Sequence, residues 1–256
     1  MEFSNKAEYY AFKATMYDQI ANYYKYTHPE LFVTYYYKHV DYVQKLIPLL
    51  IQTTSSTIQT NYSAIVSSFI RVFHSSPDSP PIDVVIDGNE TFNHINYKSA
   101  TQYASLTSGT HSLDVYQTGD RSNPILSVNL PVEPNIFYTV AAAGNNENLT
   151  LSTYIDNTFL PRNESKVRFI HLTTDLPALD LAVKDGDVVF GNVSYDELSD
   201  YLPLSPMTVD LDVRLAGTKD VVLSLPNLKF EPNKIYHLIL TGRMNGERIL
   251  EAIIIN

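Results

Sequence analysis

Apolar and polar residues alternate along much of the chain beyond residue 68. Ile82, Val84 and Ile86 flank Asp83, and Leu179, Leu181 and Val183 flank Asp180. Val209, Leu211, Val213 and Leu215 interleave with Asp210, Asp212 and Arg214. A period of two predicts strands with one buried and one wet face. The first sixty residues follow another rhythm. Phe3, Ala7, Tyr10, Ala14, Tyr17, Ala21 and Tyr24 are spaced alternately by four and three, a heptad seam of aromatic rings and alanines. Val33, Tyr36, Val40, Val43, Ile47 and Leu50 give a second seam. Thr27 and Glu30 read as a capping box before it, with Pro29 in the first turn, where a missing N–H costs nothing. Two helices joined by "YTHPE" predict an antiparallel hairpin.

The strand-forming part is written twice. "RVFHSSPDSPPIDVVIDG" begins at Arg71 and "RFIHLTTDLPALDLAVKDG" at Arg168. Arg71, His74, Asp78, Pro80 and Asp83 align with Arg168, His171, Asp175, Pro177 and Asp180 at an offset of 97. After a one-residue insertion, Tyr97, Tyr103, Asp114, Gly119, Tyr138 and Gly144 align with Tyr195, Tyr201, Asp212, Gly217, Tyr236 and Gly242 at an offset of 98. Solenoid repeats run roughly 20–50 residues, so this period is that of a whole small domain. "DGN" at 87–89 and "DGD" at 185–187 suit tight hairpin turns, and prolines recur between the apolar runs. The expected fold class is mainly β: two tandem antiparallel, immunoglobulin-like β-sandwiches preceded by an α-helical hairpin. The expected boundaries are a hairpin at 1–51, a Ser/Thr-rich linker at 52–67, sandwiches at 68–156 and 166–256, and a connector at 157–165. So short a connector predicts end-to-end packing.

The motif at 71–88 resembles the opening of a bacterial family catalogued as domain of unknown function 4397, approximately R-V-x-H-A-S-P-D-A-P-x-V-D-V-x-V-D-G. The resemblance spans residues 68–256. The second copy departs where Thr174 replaces Pro77. Members often carry tandem copies and are associated with cell surfaces, so the resemblance implies this fold and a surface or structural bias, without chemistry.

Composition narrows the function. The chain of 256 residues has no cysteine, which excludes disulfides and thiolate chemistry. Its formal net charge is −10. Residues 1–60 hold five Lys and five acidic residues, so the whole excess follows them. An acidic body without a basic stripe argues against nucleic acid as partner. There is no apolar run long enough for a membrane span and no signal-peptide pattern at the N-terminus, so synthesis in the cytosol is expected.

No G-x-S-x-G, H-E-x-x-H, Walker A or G-x-G-x-x-G motif is present, and neither catalytic residues nor a cofactor is expected. The repeated sets His74, Asp78, Asp83 and His171, Asp175, Asp180 allow a weak metal site, or an Asx turn with a histidine bonded to a nearby carbonyl. Arg71 and Arg168 could each pair with their own Asp83 and Asp180 across the ladder, or bind a ligand. Tyr97, Tyr195, Tyr103 and Tyr201 read as tyrosine-corner residues or as a sugar-stacking platform. Ten of nineteen tyrosines fall between Tyr9 and Tyr42. Tyr9, Tyr23, Tyr26, Tyr35, Tyr37 and Tyr42 lie off the helical seams, where they could pack on the sandwich or serve as interaction residues for self-association.

The sequence thus points to a non-enzymatic structural or interaction protein with a Tyr-rich assembly element. A bacterial surface or spore envelope layer is the expected setting, and other protein partners fit it too. The alternative is a module binding carbohydrate or cell-wall polymer.

Overall fold

The structure, a computed structural model, describes residues 5–25, 28–54, 67–145, 148–244 and 249–256. It divides into two compact units, Met1–Ala64 and Ile65–Asn256. Phe3, Tyr26, Thr27 and most of the expected linker lie outside the described residues, as do the side chains of Glu30 and Leu50.

The first unit is a pair of helices, α1 (Lys6–Tyr24) and α2 (Pro29–Thr54). Asn5 caps α1, its side-chain oxygen accepting from the Glu8 N–H at 2.9 Å, which satisfies an amide that has no partner in the first turn. Ala14 and Ala21 of the expected seam are buried. The seam of α2 differs from the expected one by one position. Val33 and Ile47 are about half exposed, at 47% and 49%, while Tyr35, His39 and Tyr42 face α1. Tyr17 stacks on Tyr35 and Tyr42, with centroids 6.2 and 5.6 Å away, and His39 Nδ1 bonds the Ala14 carbonyl at 3.0 Å. The run "TYYYKHV" is apolar in either register, and the register that seats the larger rings beside the alanines buries more area. No described helix is long and apolar enough to cross a membrane.

The second unit holds both copies. The first comprises β1 (Ser68–His74), β2 (Ile82–Ile86), β3 (Asn89–Ile95), β4 (Ala104–Leu106), β5 (Gly109–Gln117), β6 (Leu126–Val132), β7 (Phe137–Asn145) and β8 (Asn148–Asp156). The second repeats the order with β9 (Ser165–His171), β10 (Leu179–Val183), β11 (Val188–Val193), β12 (Leu202–Leu204), β13 (Met207–Leu215), β14 (Val221–Phe230), β15 (Lys234–Thr241) and β16 (Glu251–Ile255). Sheet β3-β2-β5-β6 packs on β4-β1-β7-β8, and β11-β10-β13-β14 on β12-β9-β15-β16. The named ladders are antiparallel except β1 with β7 and β9 with β15. Left-handed backbone recurs at matched positions. Asn135 and Asn233 have φ of 61° and 61°, and Lys98 and Asp196 have 69° and 66°.

The repeats do not pack end to end. They meet face to face through their inner sheets. Phe73, Ala141, Ala143 and Tyr154 of the first copy join Ile170, Leu172 and Ile239 of the second in one buried cluster. This explains why β1 and β9 are buried almost throughout rather than at alternate residues: both faces of each inner sheet are covered.

Candidate functional site at the junction of the repeats

The duplicated motif serves the loops. His74 Nδ1 accepts from the Ser76 N–H at 3.3 Å, so Nε2–H donates to the Pro80 carbonyl at 3.1 Å. His171 repeats this with the Thr173 N–H at 3.3 Å and Pro177 at 3.1 Å. Burial lowers the pKa of both histidines, which favours these neutral tautomers. Each histidine thereby pins the bend that follows β1 or β9. Asp83 accepts from the His94 N–H and from Thr118 Oγ1, both at 2.7 Å. Asp180 accepts from the Asn192 N–H at 2.7 Å and the Gly217 N–H at 2.9 Å. Asp78 pairs with Arg243, and Asp175 accepts from the Met244 N–H at 2.9 Å. The six residues considered as metal ligands are therefore engaged separately. Among the described residues no group of three or more His, Asp or Glu side chains is placed to hold a metal ion.

The expected Arg71–Asp83 and Arg168–Asp180 pairs do not form. Both arginines sit on the junction face of their strands and turn toward the other repeat, away from the loop where each aspartate is held. Arg168 donates to Asp156 and, at 2.8 Å, to the Ile155 carbonyl. Arg71 Nε donates to Thr139 Oγ1 at 2.9 Å and lies 3.9 Å from Asp156. Thr139 and Tyr103 donate to the same carboxylate at 2.6 and 2.5 Å. His237 takes the place of Thr139 in the second copy. Its Nδ1 lies 3.2 Å from Arg71 and 3.3 Å from Arg168, and its Nε2 lies 3.0 Å from Tyr201 Oη. Burial between two guanidinium groups holds the His237 pKa down to about 2, so the ring is neutral. Nδ1 therefore accepts from a guanidinium, and Nε2–H donates to Tyr201. Lys166, beside Arg168, donates to the Phe159 carbonyl at 2.5 Å, and burial with the neighbouring charge lowers its pKa to about 8.

Tyr103 and Tyr201 offer no stacking platform. The Arg71 guanidinium covers Tyr103 at 4.7 Å from the ring centroid, and Arg168 covers Tyr201 at 4.8 Å. The corner role falls instead to Tyr138 and Tyr236, whose hydroxyls accept from the Glu133 and Glu231 N–H groups at 2.9 and 2.8 Å. Sequence matching missed Asp156 and His237. Asp156 has no matched partner in the second copy and His237 aligns with a threonine, so neither stands out as a repeated identity. The one available signal was a carboxylate at the end of a strand in a chain carrying two repeated arginines.

Of the expected interaction tyrosines, Tyr9, Tyr35 and Tyr42 lie among the rings between the helices. Tyr23 and Tyr37 are open to solvent, at 76% and 69% exposure. Among the described residues no histidine accepts from a Ser or Thr hydroxyl.

The class defined by these features is a tandem β-sandwich whose copies are bolted by a buried ionic network. The chain belongs to the family described as a domain of unknown function (DUF4397), whose profile matches residues 68–182 and 165–255. None of the curated proteins matches it in sequence. Among solved structures, a candidate cell adhesion protein from Bacteroides fragilis NCTC 9343 aligns at 7% identity and a TM-score of 0.22, over 73% of this chain and 97% of that one. A candidate adhesin from Bacteroides ovatus aligns at 8% identity and a TM-score of 0.21, over 73% and 92%. The fimbrial anchor protein Mfa2 from Porphyromonas gingivalis aligns at 9% and 0.21, over 73% and 95%. Likenesses of this size carry no weight for function.

Proposed function

We propose that the protein is a non-enzymatic structural or interaction protein, in which the locked sandwich pair is a rigid body and the helical hairpin self-associates. The supporting observation is how little the hairpin buries. Among its described residues only Ala14 and Ala21 are fully buried, while Phe12, Tyr23, Val33, Tyr37 and Ile47 are exposed. A two-helix unit with so small a core gains stability by covering that surface, and tyrosine suits such an interface. A bacterial surface or spore envelope layer is the setting that fits an aromatic assembly element on a rigid β body.

Sedimentation velocity on the full chain tests this. Concentration-dependent association, weakened in a Tyr37→Ser, Val33→Ser, Ile47→Ser variant with unchanged helix content, is the expected result. A monomer at all concentrations refutes it.

A further inference from the structure

The rings of the hairpin form a continuous ladder. Tyr24 stacks on Tyr35 at 5.8 Å, Tyr35 on Tyr17 at 6.2 Å, and Tyr17 on Tyr42 at 5.6 Å, with interplanar angles of 15°, 18° and 19°. Tyr42 meets Tyr9 and Tyr10 at 6.2 and 6.0 Å. At the other end Tyr23 stands perpendicular to Tyr24 at 5.0 Å and is 76% exposed. The sandwich tyrosines are held differently. Tyr103 and Tyr154 donate to Asp156 and Asp196, and burial beside those carboxylates raises both pKa values. Tyr201 is likewise raised to about 12.

We propose that this ladder is an oxidative modification site, and that Tyr23 is where two copies of the chain become joined by a tyrosine–tyrosine bond. The inference deepens the self-association reading and rests on the same hairpin. The oxidant is a peroxide acting through a haem peroxidase. Each phenol gives up one electron and its proton to become a phenoxyl radical. Two radicals then couple through the carbons ortho to oxygen. The two ring hydrogens at the new bond move to the oxygens, restoring two phenols. One peroxide takes up the two electrons and two protons and leaves as two waters.

Geometry selects the position. Coupling brings two ring edges together side by side, and the stacked rings of Tyr17, Tyr35 and Tyr42 present faces to one another instead. An unpaired electron formed on them can pass between rings in contact but finds no edge to bond. Tyr23 is open to meet its counterpart on another copy and, unlike the similarly exposed Tyr37, it touches a ring of the ladder.

The full chain is treated with peroxide and a haem peroxidase, then analysed on denaturing gels and by peptide mass mapping. The expected product is a covalent dimer lighter than two chains by two hydrogens, linked through Tyr23. It is lost in Tyr23→Phe, a substitution that removes one exposed hydroxyl, and retained in Tyr37→Phe, which removes another. Absence of the dimer, or linkage through Tyr37 or the sandwich tyrosines undiminished in Tyr23→Phe, overturns the proposal. Sedimentation without oxidant separates the two readings. A chain that associates but does not couple refutes the coupling alone. A Tyr23-linked product from a chain that stays monomeric refutes the association alone.

Discussion

Arg168 of the second repeat donates to the carboxylate of Asp156 at the end of the first, and both side chains are almost wholly buried, at 1% and 2% exposure. The same carboxylate is the counter-charge nearest to Arg71 in the junction. A single anion thus serves two guanidinium groups, with a neutral histidine filling the fourth place. Two hydroxyls satisfy its remaining acceptor sites, which is what makes a buried ion pair tolerable.

Removing that anion strands two buried cations. Asp156→Ala is expected to cost about 3–5 kcal/mol, because desolvated charges are left without compensation. Urea unfolding followed by circular dichroism in the β region measures it. Asp41→Ala, which removes an exposed partner of Lys45 on α2, is expected to cost about 0.5 kcal/mol or less. Equal effects from the two substitutions would contradict the picture.

His237 makes the junction acid-sensitive. Its folded pKa of about 2 lies below its ordinary value of 6.5. Below pH 6.5 the unfolded chain therefore binds a proton that the folded chain refuses, and stability falls as pH falls. The loss continues toward pH 2 and is absent above pH 6.5. Each such histidine contributes up to about 1.4 kcal/mol per pH unit. His74 and His171, also lowered by burial, add in the same direction. Urea midpoints measured between about pH 7 and pH 5 should decline, and His237→Asn should decline less steeply.

Two matched glycines are sterically required. Gly144 and Gly242 have φ of +95° and +92°, and an added Cβ would meet the Asn148 carbonyl oxygen at 2.3 Å and that of Ile249 at 2.4 Å. Gly144→Ala and Gly242→Ala are each expected to destabilise by more than the roughly 1–2 kcal/mol of left-handed backbone alone. Gly88, with φ of +75° and nothing within 4 Å of the added atom, is expected to lose only that smaller amount. Thermal melts of the three variants decide the order.

Much of the architecture could be read from residues that recur. His74 with His171 and Asp83 with Asp180 mark the copies because loop and bulge geometry demands those side chains twice. Alternation around Asp83 and Asp212 located the strands. The packing of the copies was hidden, since a strand buried on both faces, such as β1, has no alternation to read. The helical register was hidden for the opposite reason: three successive tyrosines, Tyr35 to Tyr37, satisfy more than one seam. The junction network escaped because its two halves are not alike, with Thr139 of one copy replaced by His237 in the other and Asp156 contributed by one copy alone.

The two repeats form one mechanical body, joined by the buried cluster and the Asp156 network. Hydrogen exchange read by mass spectrometry compares the amides of β1 and β9, the central strands of the two inner sheets, in the native chain and in Asp156→Asn. The expected result is the same opening free energy for both strands and an equal fall in both when the carboxylate is lost. Different free energies for β1 and β9, with only one of them reduced in the variant, would contradict it.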